Sequence, residues 1–304
     1  MEDSGIVFHA GDCRTVLAEM RENGDRVDCC VTSPPYFGLR DYGIDGQIGG
    51  ERSVAEYVGA LVDVFDLVAA VMAETGTLWL NIGDIYNTYQ ANQGVSRNRS
   101  LEQKMQKRES GYGLDDKAFK YKDLLGVPWR VAFALQDAGW YLRQEIIWSK
   151  PNPMPESVTD RCTKSHEHIF LLSRSQKYYF DGAAIAEKSR GYGKFESNGG
   201  MKNYRPDTPI PDRTPSETRN ARSVWEMAVS SSGAGHPASF PIALAARCIS
   251  AGCPPGGIVL DPFMGSGTTA RAAVDLSRRV IGIELNEDYV DIQRDKCQQT
   301  ALAL

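Results

Sequence analysis

Two short stretches concentrate the residue types able to do chemistry. The first is "DCCVTSPPYFGLRDYG", from Asp28 to Gly43. An apolar run leads into Thr32, Ser33, Pro34, Pro35 and Tyr36. Neither proline carries a backbone N–H, so a strand must stop there, and the pair stiffens the loop. A hydroxyl, carbonyls and a flat ring are thereby held in set positions. The second stretch is "IVLDPFMGSGTTARAA", with Gly265, Ser266 and Gly267 between an apolar run and a helical one. Glycine lets a ligand approach the backbone, and a helix N-terminus offers unpaired N–H groups. Nineteen residues beyond Gly265, "VIGIEL" places Glu284, where an acid accepts hydrogen bonds from ribose hydroxyls. The further glycine of a dinucleotide fingerprint is missing, and no Gly-Lys-Ser/Thr phosphate loop follows. A nucleoside without a large phosphate group fits this pattern. A bare strand-to-helix turn with a surface glutamate is the reading that the glycines alone leave open.

The elements that must position these loops alternate between strand and helix. Apolar runs predict strands at Ile6–His9, Val27–Thr32, Thr77–Asn81, Tyr141–Trp148, His168–Ser173, Ile258–Leu260 and Val280–Glu284. Lys177–Asp181 is expected to pair as a hairpin. Val54, Tyr57, Val58, Leu61, Phe65, Val68 and Met72 recur at helical spacing, so 53–73 is predicted helical. Further helices are expected from near Leu124 to Asp137, over 240–251, over 268–276 and over about 287–298, the last capped by Asn286. The alternation argues for an α/β fold with a mostly parallel sheet and helices on both faces. We expect a single domain over 1–304. Two irregular, polar stretches interrupt it: an insertion at 87–120 and a Gly-, Pro- and Arg-rich segment within 182–237.

Composition sets bounds. An apolar content of 42% and a charged content of 24% are those of a soluble globular chain. No apolar run is long enough to span a membrane, and the acidic start "MEDSGIVFHAGDC" lacks a secretory pattern, so a cytoplasmic location is expected. Seven irregularly spaced cysteines suggest reduced, mostly buried thiols. Cys162, His166 and His168 lack a nearby fourth ligand, and no metal is expected. The net charge is −5, yet 87–120 and 182–224 each carry an excess of +3. Such local basic surface suits phosphate, although a solvated loop shows the same excess.

The motifs as a set resemble the DNA amino-methyltransferases. "LDPFMGSGTT" followed by "VIGIEL" resembles their S-adenosylmethionine loop, "TSPPY" their catalytic loop, and "GHPASFP" the remaining cofactor-pocket motif. "GDC", "LWLNIGD" and "EIIWSKPNPMP…HEHIFLLS" are also similar. The order, catalytic loop first and cofactor loop last, resembles the beta group. The resemblance implies a Rossmann-like methyltransferase fold with permuted motifs and S-adenosyl-L-methionine as methyl donor. It implies a catalytic loop of Ser33, Pro34, Pro35 and Tyr36. The Ser33 hydroxyl and Pro34 carbonyl accept the hydrogens of an exocyclic base amine, and Tyr36 stacks on the flipped base. The implied donor site comprises Asp12, His236, Pro237, Asp261, Pro262, Phe263, Gly265, Ser266, Gly267, Thr268, Glu284 and Leu285. Within it Asp261 lies near the methionine ammonium, Phe263 packs on the adenosine, and His236 and Pro237 border the methionine end. Asp84 either lines the cleft or caps a turn. Direct attack on the methyl needs no thiol adduct, so Cys29 and Cys30 are expected to be core.

Relatives with Ser at the first tetrapeptide position usually act on cytosine N4, those with Asp on adenine N6, and protein-glutamine enzymes carry Asn. Ser33 therefore points to N4-cytosine methylation of double-stranded DNA, with N6-adenine and a silent DNA-binding relative as alternatives. Segment 182–222 occupies the place of target recognition, with Arg190, Lys194, Lys202, Arg205, Arg213, Arg219 and Arg222 for phosphates or guanine edges. Arg97, Arg99, Lys104, Lys107 and Arg108 of the insertion would clamp the duplex from the other side. A homodimer and a cognate restriction enzyme are possible partners.

Overall fold

The computed structural model describes residues 5–39, 46–87, 118–189, 217–229 and 240–287. His236, Pro237, the five basic residues expected at 97–108, and Arg190, Lys194, Lys202, Arg205 and Arg213 lie outside the described residues. Most of the helix predicted over 287–298 does as well.

The strands are β1 (Ile6–Ala10), β2 (Val27–Thr32), β3 (Met72–Ile82), β4 (Tyr141–Ser149), β5 (His166–Ser173), β6 (Glu187–Lys188), β7 (Thr218–Arg219), β8 (Val224–Glu226), β9 (Ile258–Asp261) and β10 (Arg279–Glu284). Eight of them form one sheet in the order β1-β10-β9-β2-β3-β5-β4-β8. All neighbours from β1 to β3 run parallel; β5 is antiparallel to both β3 and β4. β6 and β7 make a separate two-residue ladder.

Helices α1 (Cys13–Asn23), α2 (Val54–Val71) and α3 (Val127–Asp137) cover one face. Helices α4 (Ile242–Gly252) and α5 (Thr268–Asp275) cover the other. Period-two alternation divides the core between them. Cys30, Leu78, Leu80, Leu260 and Ile283 pack with Leu17, Leu61 and Phe65. Cys29, Val31, Trp79, Val259 and Val280 pack with Leu244, Ile249 and Ala270. Burying both faces is why these strands are almost wholly apolar rather than alternating.

Local signals explain the element ends. The Asp12 carboxylate accepts Arg14 N at 2.8 Å and caps α1, and Gly24 closes that helix at φ 77°. Ser53 Oγ accepts Glu56 N, while the Glu56 carboxylate accepts Arg52 N, starting α2. Asp84, for which two roles were open, is a cap. Its carboxylate accepts Ile85 N, Gly126 N and Val127 N at 2.9–3.1 Å, fixing the start of α3.

The structure adds one helix and changes two expectations. The segment 13–23 is a helix in which only Cys13, Val16, Leu17 and Met20 are buried. Lys177–Asp181 makes no hairpin. Tyr179 N donates instead to Thr75 O, Asp181 N to Ala251 O, and the Asp181 carboxylate turns the chain at Ala183 and Ala184. The segment 182–237 is not irregular throughout. Val224–Glu226 adds a parallel edge to β4, because Trp225 is buried against Trp79 (rings 6.3 Å apart).

Candidate active site

Strands β2 and β9 are neighbours, and from them the sheet continues in opposite directions, to β3 and to β10. Loops leaving the carboxyl ends of such a pair diverge and open a crevice, where open α/β sheets place ligands. The Ser33 loop follows β2 and the glycine loop follows β9. They meet there, and a cavity of ≈ 400 Å³ lies between them, lined by Ser33, Pro34, Tyr36, Phe263, Gly265 and Glu284 among others. This volume is within the range of small-molecule sites, about 300–1,000 Å³.

Side chains weld the two loops together. Thr32 Oγ1 donates to Asp261 Oδ1 and Thr269 Oγ1 to Asp261 Oδ2, both at 2.6 Å, while Phe263 N donates to Oδ1 at 3.0 Å. Asp261 is 1% exposed, so its carboxylate braces the crevice floor rather than standing free for an ammonium group. Burial pushes that carboxyl up to about 6 in spite of these hydrogen bonds.

The glycine loop is held from the other side. Glu284 Oε2 accepts Gly265 N at 2.8 Å, and Oε1 accepts Asn286 N at 2.9 Å. The Leu285 N–H also bonds this carboxylate, so three backbone donors hold it in place. Gly265 (φ 53°) and Gly267 (φ 84°) occupy the left-handed region that favours glycine. No side-chain hydrogen bond caps α5, and Ser266 and Thr268 at its start line the cavity. Pro262 and Leu285 border the cavity. Asp12 borders it too, with its carboxylate paired to Arg14.

The proline loop is equally fixed. Tyr57 of α2 donates to the Pro35 carbonyl at 2.9 Å, and Phe37 is buried against the Tyr57 ring. The Pro34 carbonyl accepts no hydrogen bond from a described residue. The Tyr36 ring lies on Gly83: a Cβ built there would stand 2.6 Å from Tyr36 Cε2. Gly83 is therefore glycine for close approach.

A polar cluster that sequence reasoning gave no role sits beside Ser33. Ser33 Oγ donates to Tyr36 Oη at 3.3 Å, and Tyr36 Oη donates to Glu167 Oε2 at 2.6 Å. Asn81 Nδ2 reaches Tyr36 Oη (2.9 Å), Glu167 Oε2 (3.0 Å) and Ser33 Oγ (3.4 Å). Lys150 Nζ pairs with Glu167 Oε1. The Glu167 and Lys150 side chains are only 13% and 17% exposed, so the pair sits in low dielectric. Burial alone would raise the Glu167 carboxyl, but Lys150, Tyr36 and Asn81 hold it below the usual carboxylate range. Burial pushes the neighbouring Lys164 ammonium down.

Arg219 and Arg222, the described members of the expected DNA-contacting set, stand at the foot of segment 190–216. Both pair with Glu187, as does Arg247 of α4 (2.9–3.3 Å). The buried cysteines are no nucleophiles: burial raises Cys29 and Cys30 and pushes Cys13 and Cys253 up to about 12. His168 is spent on Glu145 at 2.6 Å, and no metal-holding cluster occurs among the described residues. None of the described helices is long and apolar enough to cross a membrane.

Comparison with known proteins agrees with this geometry. A family model described as DNA methylase, of the N6/N4 type, matches residues 27–295. The Type II methyltransferase M.SmaI of Serratia marcescens is 43% identical over 290 residues, covering 93% of this chain and 90% of its own. The solved structure of PvuII DNA methyltransferase (cytosine-N4-specific) superimposes with a TM-score of 0.62 at 17% identity, over 97% of this chain and 92% of that one. The M1.HpyAVI–SAM complex superimposes with a TM-score of 0.55 at 18% identity, over 96% and 99%. Both show the same fold.

Proposed function

The chain belongs to the N6/N4 DNA methylase family, and from that premise we propose that it methylates the exocyclic N4 amine of a cytosine flipped out of duplex DNA, with S-adenosyl-L-methionine as donor. The observation that carries this reading is the meeting of the Ser33 loop and the Gly265–Glu284 pair in one cavity.

The residues present fit the donor. The Glu284 carboxylate, steadied by backbone N–H groups, borders the cavity where ribose hydroxyls would reach it, the uncapped start of α5 and the bare Gly265–Gly267 backbone permit close approach, and Phe263 and Leu285 give an apolar wall for adenine. The donor, when bound, supplies an electrophilic methyl group. Ser33 and Pro34 orient the acceptor. An exocyclic amine is a poor nucleophile because its lone pair is delocalised into the ring. Acceptors on its hydrogens favour a pyramidal nitrogen and free that pair. Ser33 Oγ and the open Pro34 carbonyl serve, on a loop that need not rearrange. The Tyr36 ring flanks the base, which must leave the stack to arrive at a cost of a few kcal/mol.

Ser at position 33 is what favours cytosine N4, and the likeness to a cytosine-N4-specific fold is consistent with it. Arg219 and Arg222, with the basic residues of 190–213 and 97–108, supply the phosphate and base contacts. A relative named as a type II methyltransferase is consistent with a restriction partner.

Incubation with methyl-labelled donor and mixed-sequence duplex, followed by digestion to nucleosides and mass spectrometry, tests it. N4-methylcytosine is the expected product. N6-methyladenine would move the target base, and no transfer to any duplex would refute the activity. Ser33→Ala should slow single-turnover transfer while leaving donor affinity unchanged.

A further inference from the structure

Methyl transfer to an exocyclic amine leaves one proton too many. The N–CH₃ bond forms, the nitrogen turns positive, and an N–H bond must then break for its lone pair to rejoin the ring. Ser33 is the group placed against that nitrogen in the function proposed above, on which this inference rests. A serine hydroxyl is neutral and a feeble base. It can take a proton only by handing on its own.

The hydroxyl has somewhere to hand it. Ser33 Oγ donates to Tyr36 Oη (3.3 Å), and Tyr36 Oη donates to Glu167 Oε2 (2.6 Å). The direction of this chain is fixed by Asn81, whose Nδ2 donates toward all three oxygens. Reversing the amide would set its carbonyl against the Glu167 carboxylate, so Nδ2 must face them. With Asn81 occupying acceptor sites on the tyrosine oxygen, the phenol proton points at Glu167.

We propose that Glu167 is the terminal acceptor of the proton released from the methylated amine, reached from Ser33 through the Tyr36 hydroxyl. The nitrogen gives its proton to Ser33 Oγ. Ser33 passes its own to Tyr36 Oη, and Tyr36 passes its own to Glu167 Oε2. The carboxylate becomes a carboxylic acid, Lys150 keeps its charge, and no oxidant or reductant is involved. The acid returns its proton to water when the site reopens. The charged and titratable groups facing Glu167 are Lys150 at the end of β4, Tyr36 beyond β2, Lys164 on the β4–β5 connection and the adjacent His166, with the Asn81 amide on β3. A carboxylate held down by these neighbours still suffices, because the proton of a quaternised exocyclic amine is strongly acidic: its loss restores conjugation. The arrangement supplies an enzyme having serine at the first loop position with a carboxylate two hydrogen bonds away.

Single-turnover transfer tests the relay with Tyr36→Phe, Glu167→Gln, Glu167→Asp and the Tyr36→Phe/Glu167→Gln double variant, each checked for fold, duplex affinity and donor affinity. Tyr36→Phe and Glu167→Gln should each slow transfer by at least about 10²-fold, the usual reach of acid–base assistance. The double variant should be no slower than the slower single one, since groups acting in series are not additive. Glu167→Asp should recover part of the rate. The wild-type rate should fall at acid pH as Glu167 protonates, and Glu167→Gln should lose that limb. In ligand-free protein with ¹³C-labelled glutamate carboxyls, the resonance absent from Glu167→Gln should titrate at higher pH in Tyr36→Phe, which has lost one of the hydrogen bonds that hold the carboxyl down. Wild-type rates in either single variant, or multiplying losses in the double one, overturn the proposal. If Glu167→Gln does not fold, Tyr36→Phe decides alone, because it keeps the Glu167–Lys150 pair. An active wild type with unaffected variants defeats only the relay; an inactive wild type defeats the functional reading and the relay with it.

Discussion

The Thr32 hydroxyl donates to Asp261 Oδ1 across 2.6 Å, joining the last residue of β2 to the last residue of β9. The loop bearing Ser33 and the loop bearing Gly265 are thus braced by one carboxylate, which also accepts from Thr269 at the start of α5. Relative placement of the two loops is set by bonds beneath the cavity, not by whatever enters it.

That brace has a pH signature. The folded state holds the Asp261 carboxyl at about 6, above the ordinary 3.8, mainly through burial. The native protein therefore binds this proton more tightly than the unfolded chain. The resulting stability is fully present below about pH 4 and is lost as pH rises through 6. The difference is about 3 kcal/mol. Urea unfolding of wild type and Asp261→Asn at pH 4 and pH 7 checks it, since other groups cancel between the two proteins. The variant should lack this slope, and parallel pH dependences would remove Asp261 as its source.

Gly83→Ala places a methyl 2.6 Å from the Tyr36 ring edge. The ring must move, and with it the hydroxyl between Ser33 and Glu167. Overpacking of this kind costs about 1–3 kcal/mol. Denaturant unfolding should show that loss, and transfer should fall further than stability does. Wild-type turnover in a folded Gly83→Ala protein would count against the ring's fixed placement mattering.

Glu284→Ala removes an acceptor from Gly265 N and from the donor's hydroxyls. Hydrogen bonds to a charged group are worth about 1.5–3 kcal/mol each. Donor affinity by calorimetry should drop at least about tenfold, with duplex affinity within twofold of wild type. Unchanged donor affinity would take Glu284 out of the site.

Glu187 holds Arg219, Arg222 and Arg247 at once, and Arg222, with help from Arg247, depresses its carboxyl to about 2. Glu187→Gln frees cationic surface at the base of segment 190–216. Non-specific duplex affinity should rise, the logarithmic salt slope should steepen by about one, and discrimination between sequences should fall. An unaltered salt dependence would show that these arginines do not face the duplex.

Much of this architecture is legible in the chain. β2 and the strand-to-helix turn at Gly265 follow from apolar runs ending in proline or glycine. α1 is harder to see. Its sequence, "CRTVLAEMREN", is too charged to stand out, although Asp12 and Gly24 mark both ends. The Ser33 loop is read from local spacing, and Glu284 from its place at the end of the strand that follows the glycine loop and its helix. The Glu167–Lys150 pair is not local. It exists because β4 and β5 run antiparallel in a register that sets Trp148 opposite Glu167. A sequence shows a charge at the end of one strand and another at the start of the next, without showing that they meet. Asp261 illustrates the converse. Its position in the motif is evident, but the two threonines that engage it come from a strand end and a helix start far apart in the chain.

The Glu187–Lys188 ladder with Thr218–Arg219 brings the two ends of the 190–216 stretch together before either reaches the sheet. Once ends are pinned, doubling the length of chain between them adds only about 0.6 kcal/mol of closure cost. Under the reading proposed above, in which that stretch meets the duplex, it can be lengthened, shortened or exchanged as a cassette while the methyl-transferring floor is inherited intact.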